Sequence, residues 1–278
     1  MKAFKIEEQL SRIPLLLKLL YYDYLGDEGQ EARDIPYGEE KRQYYRVYKG
    51  HNPKLPLIFF IHGGGWWHGS PQFSSAVGKF FAKKGYTTVL PAYRLVPKAR
   101  YPKQIEDIVT AFMAVLKNET LAYEGVVVMG FSAGGELGAR LVFDQSLQRL
   151  HGYTENCFKG FISFAGVLDF NTCQSAYTKL LIKNYLPQGY KIEEVNPISL
   201  VSSPSFPVLC LHGKRDRLIE RENALNFIQK VKEVGGEGEV ILLEGYHHSD
   251  ILRLVIGKGM RDTAFIWKFI EDKLEGSK

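Results

Sequence analysis

The hydrophobic pattern alternates short apolar runs with helical stretches through most of the chain. Apolar runs without polar interruption are typical of strands that are buried on both faces. The predicted strands fall at residues 57–61, 87–90, 126–129, 161–164, 208–211 and 240–243. Helical spacing is clear over 103–117, and another helix is predicted over 73–84. This alternation predicts an α/β fold with a mostly parallel sheet that is covered by helices on both sides.

Two terminal patterns and one short strand complete the predicted framework. Residues 44–48 alternate in polarity and predict an antiparallel edge strand. A helix over 5–24 is predicted to pack on the surface of the core, and a membrane-surface helix is the less favoured alternative because its polar face mixes Glu with Lys. The last helix, over 262–274, is predicted to bury one face, which carries Ile266, Phe269, Ile270 and Leu274.

We expect a single domain over residues 1–278, with two segments added to it. Residues 1–40 form an N-terminal extension, and residues 168–200 form an insertion rich in Tyr, Asn, Pro and Lys. Open α/β sheets bind ligands at the carboxyl ends of their strands, and either segment could lie there. We therefore expect residues 168–200 to form a small cap.

Composition excludes several classes of protein. Hydrophobic residues make up 45% of the 278 residues and charged residues 24%, which is unlike a disordered chain, a collagen or a multi-span membrane protein. The net charge of +5 is spread along the chain, so no nucleic-acid partner is expected. Three cysteines without C-x-x-C spacing favour a reducing, cytoplasmic location. The apolar run at 15–20 is too short for stable membrane insertion.

A G-x-S-x-G motif is the most informative local signal. Gly130, Ser132 and Gly134 follow the strand over 126–129 directly and open a predicted helix. A serine on such a sharp turn exposes its hydroxyl, and the glycines are needed because a Cβ would clash with neighbouring backbone. The simpler alternative is a glycine-rich turn whose serine caps the helix.

A second glycine-rich loop follows the strand over 57–61. Three consecutive glycines, Gly63 to Gly65, leave backbone N–H groups uncovered, as an oxyanion-binding loop requires. A flexible turn is the plain alternative. A phosphate-binding loop is disfavoured because neither G-x-x-x-x-G-K-[ST] nor G-x-G-x-x-G occurs here. His62 is expected to orient this loop rather than to act as a base.

The two motifs together resemble a known family. Residues 62–66 (HGGGW) and 130–134 (GFSAG) look like the α/β-hydrolase esterases of the hormone-sensitive-lipase type and the related small carboxylesterases and acetyl esterases. The likeness covers most of residues 35–275. It implies an α/β-hydrolase fold with the N–H groups of Gly64, Gly65 and Ala133 as oxyanion donors.

In this fold an acid and then a histidine follow later strands. Asp216 lies in the loop after 208–211, where the family places its acid. Two histidines follow 240–243, and only one can reach both Ser132 and the acid. We choose His248 because the residues after it resemble those in related esterases and formamidases; His247 is the alternative. A metal site at this histidine pair is disfavoured because no further cluster of ligands completes it.

The sequence thus predicts a serine esterase that needs no cofactor and no metal. The expected partner is a small-molecule ester with a short acyl chain, because the N-terminal segment is shorter than a lipase lid system; a homodimer is left open. Trp66 and Phe131 are expected to line an aromatic pocket together with Trp67, Tyr177, Tyr185 and Tyr190. The alternatives are an arylformamidase or amidase on the same triad, or a hydrolase-fold binding protein without catalysis. Formamidases often carry a bulkier residue at the position of Gly65.

Overall fold

An eight-stranded sheet forms the centre of the molecule. The computed structural model describes residues 31–256 and 264–275, so the helix predicted over 5–24 lies outside the described residues. The strands are β1 (Ala32–Pro36), β2 (Tyr44–Tyr48), β3 (Leu57–Ile61), β4 (Thr88–Pro91), β5 (Val126–Phe131), β6 (Phe158–Phe164), β7 (Val208–Gly213) and β8 (Gly238–Leu243). Their order in the sheet is β1-β2-β4-β3-β5-β6-β7-β8.

The sheet is mostly parallel, as the apolar runs predict. From β4 to β8 every neighbouring pair is parallel, whereas β2 is antiparallel to both β1 and β4. The prediction that residues 44–48 form the edge was wrong, because β1 pairs along the outer side of β2. The pattern did not indicate β1 because its residues are mostly exposed and Arg33 and Asp34 interrupt its apolar positions, as an edge strand tolerates.

Helices cover both faces of the sheet. The α-helices are α1 (Ser75–Lys83), α2 (Lys103–Leu116), α3 (Ala133–Phe143), α4 (Gln145–His151), α5 (Ala176–Tyr185), α6 (Ile192–Val195), α7 (Glu222–Glu233) and α8 (Ala264–Phe269). The predicted helix over 73–84 is shorter because a 3-10 turn, Pro71–Ser74, precedes α1. The predicted helix over 262–274 is α8 followed by a π turn, Ile270–Glu275, and its first residues lie outside the described part.

Alternation along the strands divides the core into two apolar clusters. Phe59 and Phe60 of β3 are both buried but point to opposite faces of the sheet. Phe59 packs edge-on against Phe112 of α2, with ring centroids 5.6 Å apart, and Phe60 lies 6.3 Å from Phe164 of β6. Burial of each such ring contributes about 1.5–3 kcal/mol, so both faces of the sheet are stabilised by apolar packing.

The carboxyl ends of the parallel strands position the candidate residues. The loops after β3, β5, β7 and β8 all leave the same edge of the sheet and carry the glycine loop, Ser132, Asp216 and His248 in turn. The segment 168–200 contains α5, α6 and the 3-10 turns Phe170–Thr172 and Pro197–Leu200. Parallel pairing therefore gathers residues from distant parts of the chain at one place.

Candidate active site

Ser132 lies on a sharp turn between β5 and α3. Its φ is 54° and its ψ is −120°, which is a strained conformation for a residue with a side chain. A Cβ added at Gly130 would lie 2.2 Å from the carbonyl oxygen of Gly134, and one added at Gly134 would lie 2.1 Å from that of Ile61. Only glycine fits at these two positions, and the backbone packs tightly on both sides of the serine.

One histidine connects the serine to a carboxylate. The Oγ of Ser132 lies 2.9 Å from Nε2 of His248, and Nδ1 of His248 lies 2.7 Å from Oδ2 of Asp216. With the proton on Nδ1, the imidazole donates to the carboxylate and accepts from the serine hydroxyl. This arrangement allows His248 to take up the serine proton when Oγ attacks an electrophile.

The Asp216 carboxylate is buried and accepts several hydrogen bonds. Its Oδ1 accepts from the backbone N–H groups of Leu218 and Ile219, at 2.9 and 3.0 Å. Its Oδ2 lies 3.2 Å from Nε2 of His212, a buried residue at the end of β7. Burial raises the pKa of Asp216, but the charge interaction with His248 and the hydrogen bonds from His212 and His248 outweigh it and hold the pKa well below its usual range. Asp216 is therefore ionised at neutral pH.

His212 was not among the predicted site residues. It also lies 2.9 Å from the carbonyl oxygen of Ile219, through the same Nε2 atom. Its position four residues before Asp216, at the end of a predicted strand, was a usable signal. His212 thus contacts both Asp216 and the backbone of the loop that carries it.

His247 and His248 have different surroundings although they are neighbours. The His247 side chain is 50% exposed and its Nδ1 lies 3.2 Å from Asp250, which caps the following 3-10 turn. The His248 side chain is 15% exposed and its ring lies 5.1 Å from that of Phe131. The structure therefore brings His248, the residue chosen from the sequence, to Ser132.

The glycine loop faces the same cavity as Ser132. Gly64 and Gly65 have φ values of +118° and +59°, and the Gly64 carbonyl accepts from the N–H groups of Trp67 and His68. A Cβ at Gly64 would lie 2.2 Å from the His68 carbonyl oxygen. Within residues 31–256 and 264–275, no acceptor bonds the N–H groups of Gly64 and Gly65. Ala133, the third expected donor, begins α3 directly after Ser132.

His62 packs against the glycine loop. Its Nδ1 lies 2.8 Å from the Gly63 carbonyl oxygen, and its ring stacks on Tyr93 at 4.3 Å. Burial, with a smaller contribution from the charge of Arg42, lowers the pKa of His62 to about 3, against the opposing hydrogen bond to Gly63. The ring is neutral at physiological pH, with the Nδ1 proton directed at the loop.

An apolar cavity of about 310 Å³ opens above these groups. It is lined by His62, Gly63, Gly64, Gly65, Trp66, His68, Gly69, Phe73, Ser74, Val77, Phe131, Ser132, Val167, Tyr177, Thr178, Leu181, Leu218, Ile219, His248 and Leu252. Trp66, Phe131 and Tyr177 thus lie where the sequence placed them. Thr178 and Leu181 of α5 were not predicted, although their spacing on a helix could have indicated them.

Three of the predicted pocket aromatics do not line this cavity. Tyr185 is fully buried behind Trp66, with the two rings stacked 4.2 Å apart. Tyr190 packs edge-on against Tyr101 at 4.8 Å and borders a separate groove. Trp67 also lies outside the lining. The prediction was wrong for these three residues. On α5, Tyr177 lines the cavity whereas Tyr185 is turned into the core, and Trp67 and Tyr190 lie outside that helix.

A comparison with family models identifies the chain. The model described as BD-FAE matches residues 45–231, which is more than half of the sequence. The chain belongs to the BD-FAE family. The match includes the glycine loop, Ser132 and Asp216 of this BD-FAE member, and it ends before His248.

The curated relatives of this chain include esterases. The BD-FAE chain is 23% identical over 268 residues to the isoprenylcysteine alpha-carbonyl methylesterase ICME of Arabidopsis thaliana, covering 88% of this chain and 62% of that protein. It is 26% identical over 245 residues to the probable carboxylic ester hydrolase LipM of Mycobacterium tuberculosis, covering 80% of this chain and 55% of LipM. The chain therefore spans less than two thirds of the length of these relatives.

Esterase B of Lactobacillus Rhamnosis has the same fold. It superposes with a TM-score of 0.79 at 17% identity, covering 99% of this BD-FAE chain and 96% of its own. The predicted α/β-hydrolase fold is thus confirmed. Over the described residues, no helix is long and apolar enough to cross a membrane, and no group of three or more His, Cys, Asp or Glu side chains could hold a metal ion.

Proposed function

We propose that this BD-FAE chain hydrolyses carboxylic esters with Ser132 as nucleophile, His248 as base and Asp216 as the acid that orients it. The hydrogen-bonded series from Asp216 through His248 to Ser132, which ends in an apolar cavity, is the observation that carries the proposal. The similarity to LipM, a probable carboxylic ester hydrolase, and to ICME, a methylesterase, supports the same reaction class.

The reaction would follow two steps. His248 Nε2 takes the Ser132 proton as Oγ attacks the ester carbonyl, and the imidazolium formed is stabilised by Asp216. The N–H groups of Gly64, Gly65 and Ala133 stabilise the oxyanion of the tetrahedral intermediate. The intermediate collapses to an acyl-serine, and His248 returns the proton to the leaving alcohol. Water then attacks the acyl-serine by the same route and releases the acid.

The dimensions of the cavity support a short acyl chain. Its volume of about 310 Å³ lies at the lower end of the usual range for ligand pockets, roughly 300–1,000 Å³. Among the residues that the structure describes, its lining contains no Lys, Arg, Asp or Glu, which favours uncharged substituents on both sides of the ester. The segment 168–200 would act as a small cap, because Tyr177, Thr178 and Leu181 of α5 form one wall.

The direct test is hydrolysis of p-nitrophenyl esters by the purified chain and by Ser132→Ala. We expect turnover of the acetyl and butyryl esters, at least 10-fold weaker turnover of the octanoyl ester, and loss of activity in Ser132→Ala. Ser202→Ala is a matched control, since Ser202 lies outside the cavity and its hydroxyl accepts a hydrogen bond from the exposed Gln145 side chain. Unchanged turnover in Ser132→Ala would refute the proposal.

The same assay separates the alternatives. Faster turnover of an N-formyl anilide than of any ester would favour the formamidase function on this triad. Binding of esters without turnover in the intact chain would favour a non-catalytic binding protein.

A further inference from the structure

A buried ion pair lies directly behind the nucleophile. Glu136 and Arg140 occupy successive turns of α3, the helix that begins after Ser132, and both side chains are almost fully buried. Nε of Arg140 donates to Oε1 of Glu136 at 2.7 Å. Burying two charges in this way is costly, and apolar residues of similar volume often give equal or greater stability. The pair therefore calls for a reason other than stability.

The second oxygen of Glu136 reaches the glycine loop. Its Oε2 accepts from Nε1 of Trp66 and from the hydroxyl of Tyr185, each at 3.1 Å. Trp66 directly follows Gly65 and has a φ of +63°, a conformation that is rare for a bulky side chain. The loop keeps this strained backbone only if the indole is held firmly in place.

The indole is held on several sides. Its ring stacks on Tyr185 with an interplanar angle of 4°, and Phe170 contacts it edge-on at 6.4 Å. Arg140 secures Glu136 in turn, since it also donates to the carbonyl of Val195 and lies over the Tyr101 ring at 4.8 Å. Among these contacts, only the hydrogen bond from Trp66 to Glu136 joins the glycine loop to α3.

We propose that Glu136 is a positioning residue that aligns the oxyanion loop with the nucleophile, acting through the Trp66 indole. One helix fixes both groups, because α3 begins after Ser132 and carries Glu136 one turn later. Oxyanion donors stabilise developing charge best when they are in place before the reaction. The inference rests on the proposed esterase function and adds to it a residue that does not line the cavity.

Two matched substitutions test the proposal. Trp66→Phe and Tyr185→Phe each remove one donor to the same Glu136 oxygen and each keep an aromatic ring in the stack. In p-nitrophenyl acetate hydrolysis we expect Trp66→Phe to lower kcat about 10-fold, with KM changed less than threefold. Tyr185→Phe should keep kcat within about twofold. Equal losses of kcat in the two variants, or a Trp66→Phe effect confined to KM, would overturn the proposal.

A third variant separates loop alignment from loss of indole volume. Glu136→Gln does not alter the cavity lining, yet its amide cannot accept from Trp66 and Arg140 through two oxygens as the carboxylate does. We expect kcat to fall several-fold in this variant. The double variant with Trp66→Phe should be no more than about twofold slower than the worse single variant, because both changes break the same contact. Additive losses, or full kcat in Glu136→Gln, would contradict the proposal.

The controls distinguish failure of the role of Glu136 from failure of the proposed esterase function. Circular dichroism and thermal unfolding confirm that each variant is folded, and Glu136→Gln decides the outcome if Trp66→Phe is not. If the unmodified chain shows no Ser132-dependent turnover, the esterase function fails and this inference falls with it. If turnover depends on Ser132 but Trp66→Phe and Glu136→Gln are fully active, only the role of Glu136 fails.

Discussion

Two walls of the same cavity are held in place by different forces. The wall that carries Ser132 and the glycine loop is fixed by backbone packing: Gly130 and Gly134 lie so close to neighbouring carbonyl groups that no side chain fits. The wall formed by α5 is held by side-chain contacts: Tyr185 at its end is buried against Trp66, and polar contacts hold both ends of the helix. Close packing of backbone tolerates little displacement, whereas single polar contacts near the surface contribute little each.

The contacts that hold α5 come from other loops. At its start, Oε1 of Glu220 accepts from the N–H groups of Gln174 and Ser175, at 2.9 and 3.1 Å. At its end, Arg100 donates to the carbonyl groups of Lys183, Asn184 and Leu186, at 2.6–2.8 Å. The reaction geometry is therefore set by the sheet and its turns, while the size of the pocket depends on the side-chain contacts that hold α5.

The largest expected effect separates the two adjacent histidines. His248→Ala should lower kcat by about 10⁴-fold or more, because the serine loses its base. His247→Ala, its matched control, should change kcat less than threefold, since that side chain contacts Asp250 rather than Ser132 or Asp216. Steady-state hydrolysis of p-nitrophenyl acetate measures both. Full activity in His248→Ala would break the assignment.

Backbone packing around Ser132 predicts the next effect. Gly134→Ala places a Cβ 2.1 Å from the Ile61 carbonyl oxygen, so β3 and α3 must move apart. We expect kcat to fall at least 100-fold, with a clear drop in the melting temperature. Gly152→Ala is the control: its φ is +73° but nothing lies within 4 Å, so it should cost about 1 kcal/mol of stability and leave kcat unchanged. Wild-type kcat in Gly134→Ala would show that the turn is not rigid.

The buried histidine under the glycine loop predicts a pH-dependent stability. The unfolded chain binds a proton at His62 near pH 6.5, whereas the folded chain does so only near pH 3. This site therefore lowers the free energy of unfolding as pH falls below 6.5, by at most about 1.4 kcal/mol per pH unit. Urea unfolding at pH 6.5, 5.5 and 4.5 measures the slope. His62→Phe, which keeps a ring on Tyr93, should lose less stability than the wild type over this pH range. An equal loss of stability per pH unit in the two proteins would contradict the lowered pKa of His62.

The smallest effect concerns the α5 wall. Arg100→Ala removes three contacts at the end of α5 and should raise KM for p-nitrophenyl butyrate about 3- to 10-fold while kcat stays within twofold. Arg149→Ala is the control, since Arg149 is an exposed residue on α4 that donates to the Ser146 hydroxyl. A fall in kcat with unchanged KM would show that α5 affects the chemistry as well as the pocket.

The sequence predicted the wall around Ser132 better than the wall formed by α5. Gly130, Ser132 and Gly134 form a local motif whose steric requirements are visible without any partner, and the apolar runs placed it at a strand end. Tyr185 and Tyr190 could not be placed in this way, because their directions depend on how α5 and the segment after it pack against the core. β1 was missed since its pairing with β2, not its own pattern, makes it a strand.

The partners of two contributors to the site are shown by the tertiary structure. His212 reaches Asp216 across a short loop, and Glu136 meets Trp66 across 70 positions of sequence. A charged residue on a largely buried helix was a usable sign that Glu136 has a role. Its partners Trp66 and Tyr185, however, come from segments far from it in the sequence, and no pattern pairs them with it. Choosing His248 over His247 likewise required a resemblance, because neighbouring residues have the same spacing to the strand.

Covalent labelling tests the central claim most directly. A p-nitrophenyl alkylphosphonate should transfer one phosphonyl group to the chain, and mass spectrometry of peptides should locate it on Ser132. Asp216→Asn should slow labelling about 10⁴-fold, because the imidazole loses the partner that sets its tautomer. Labelling at another residue, or at an undiminished rate in Asp216→Asn, would contradict the account.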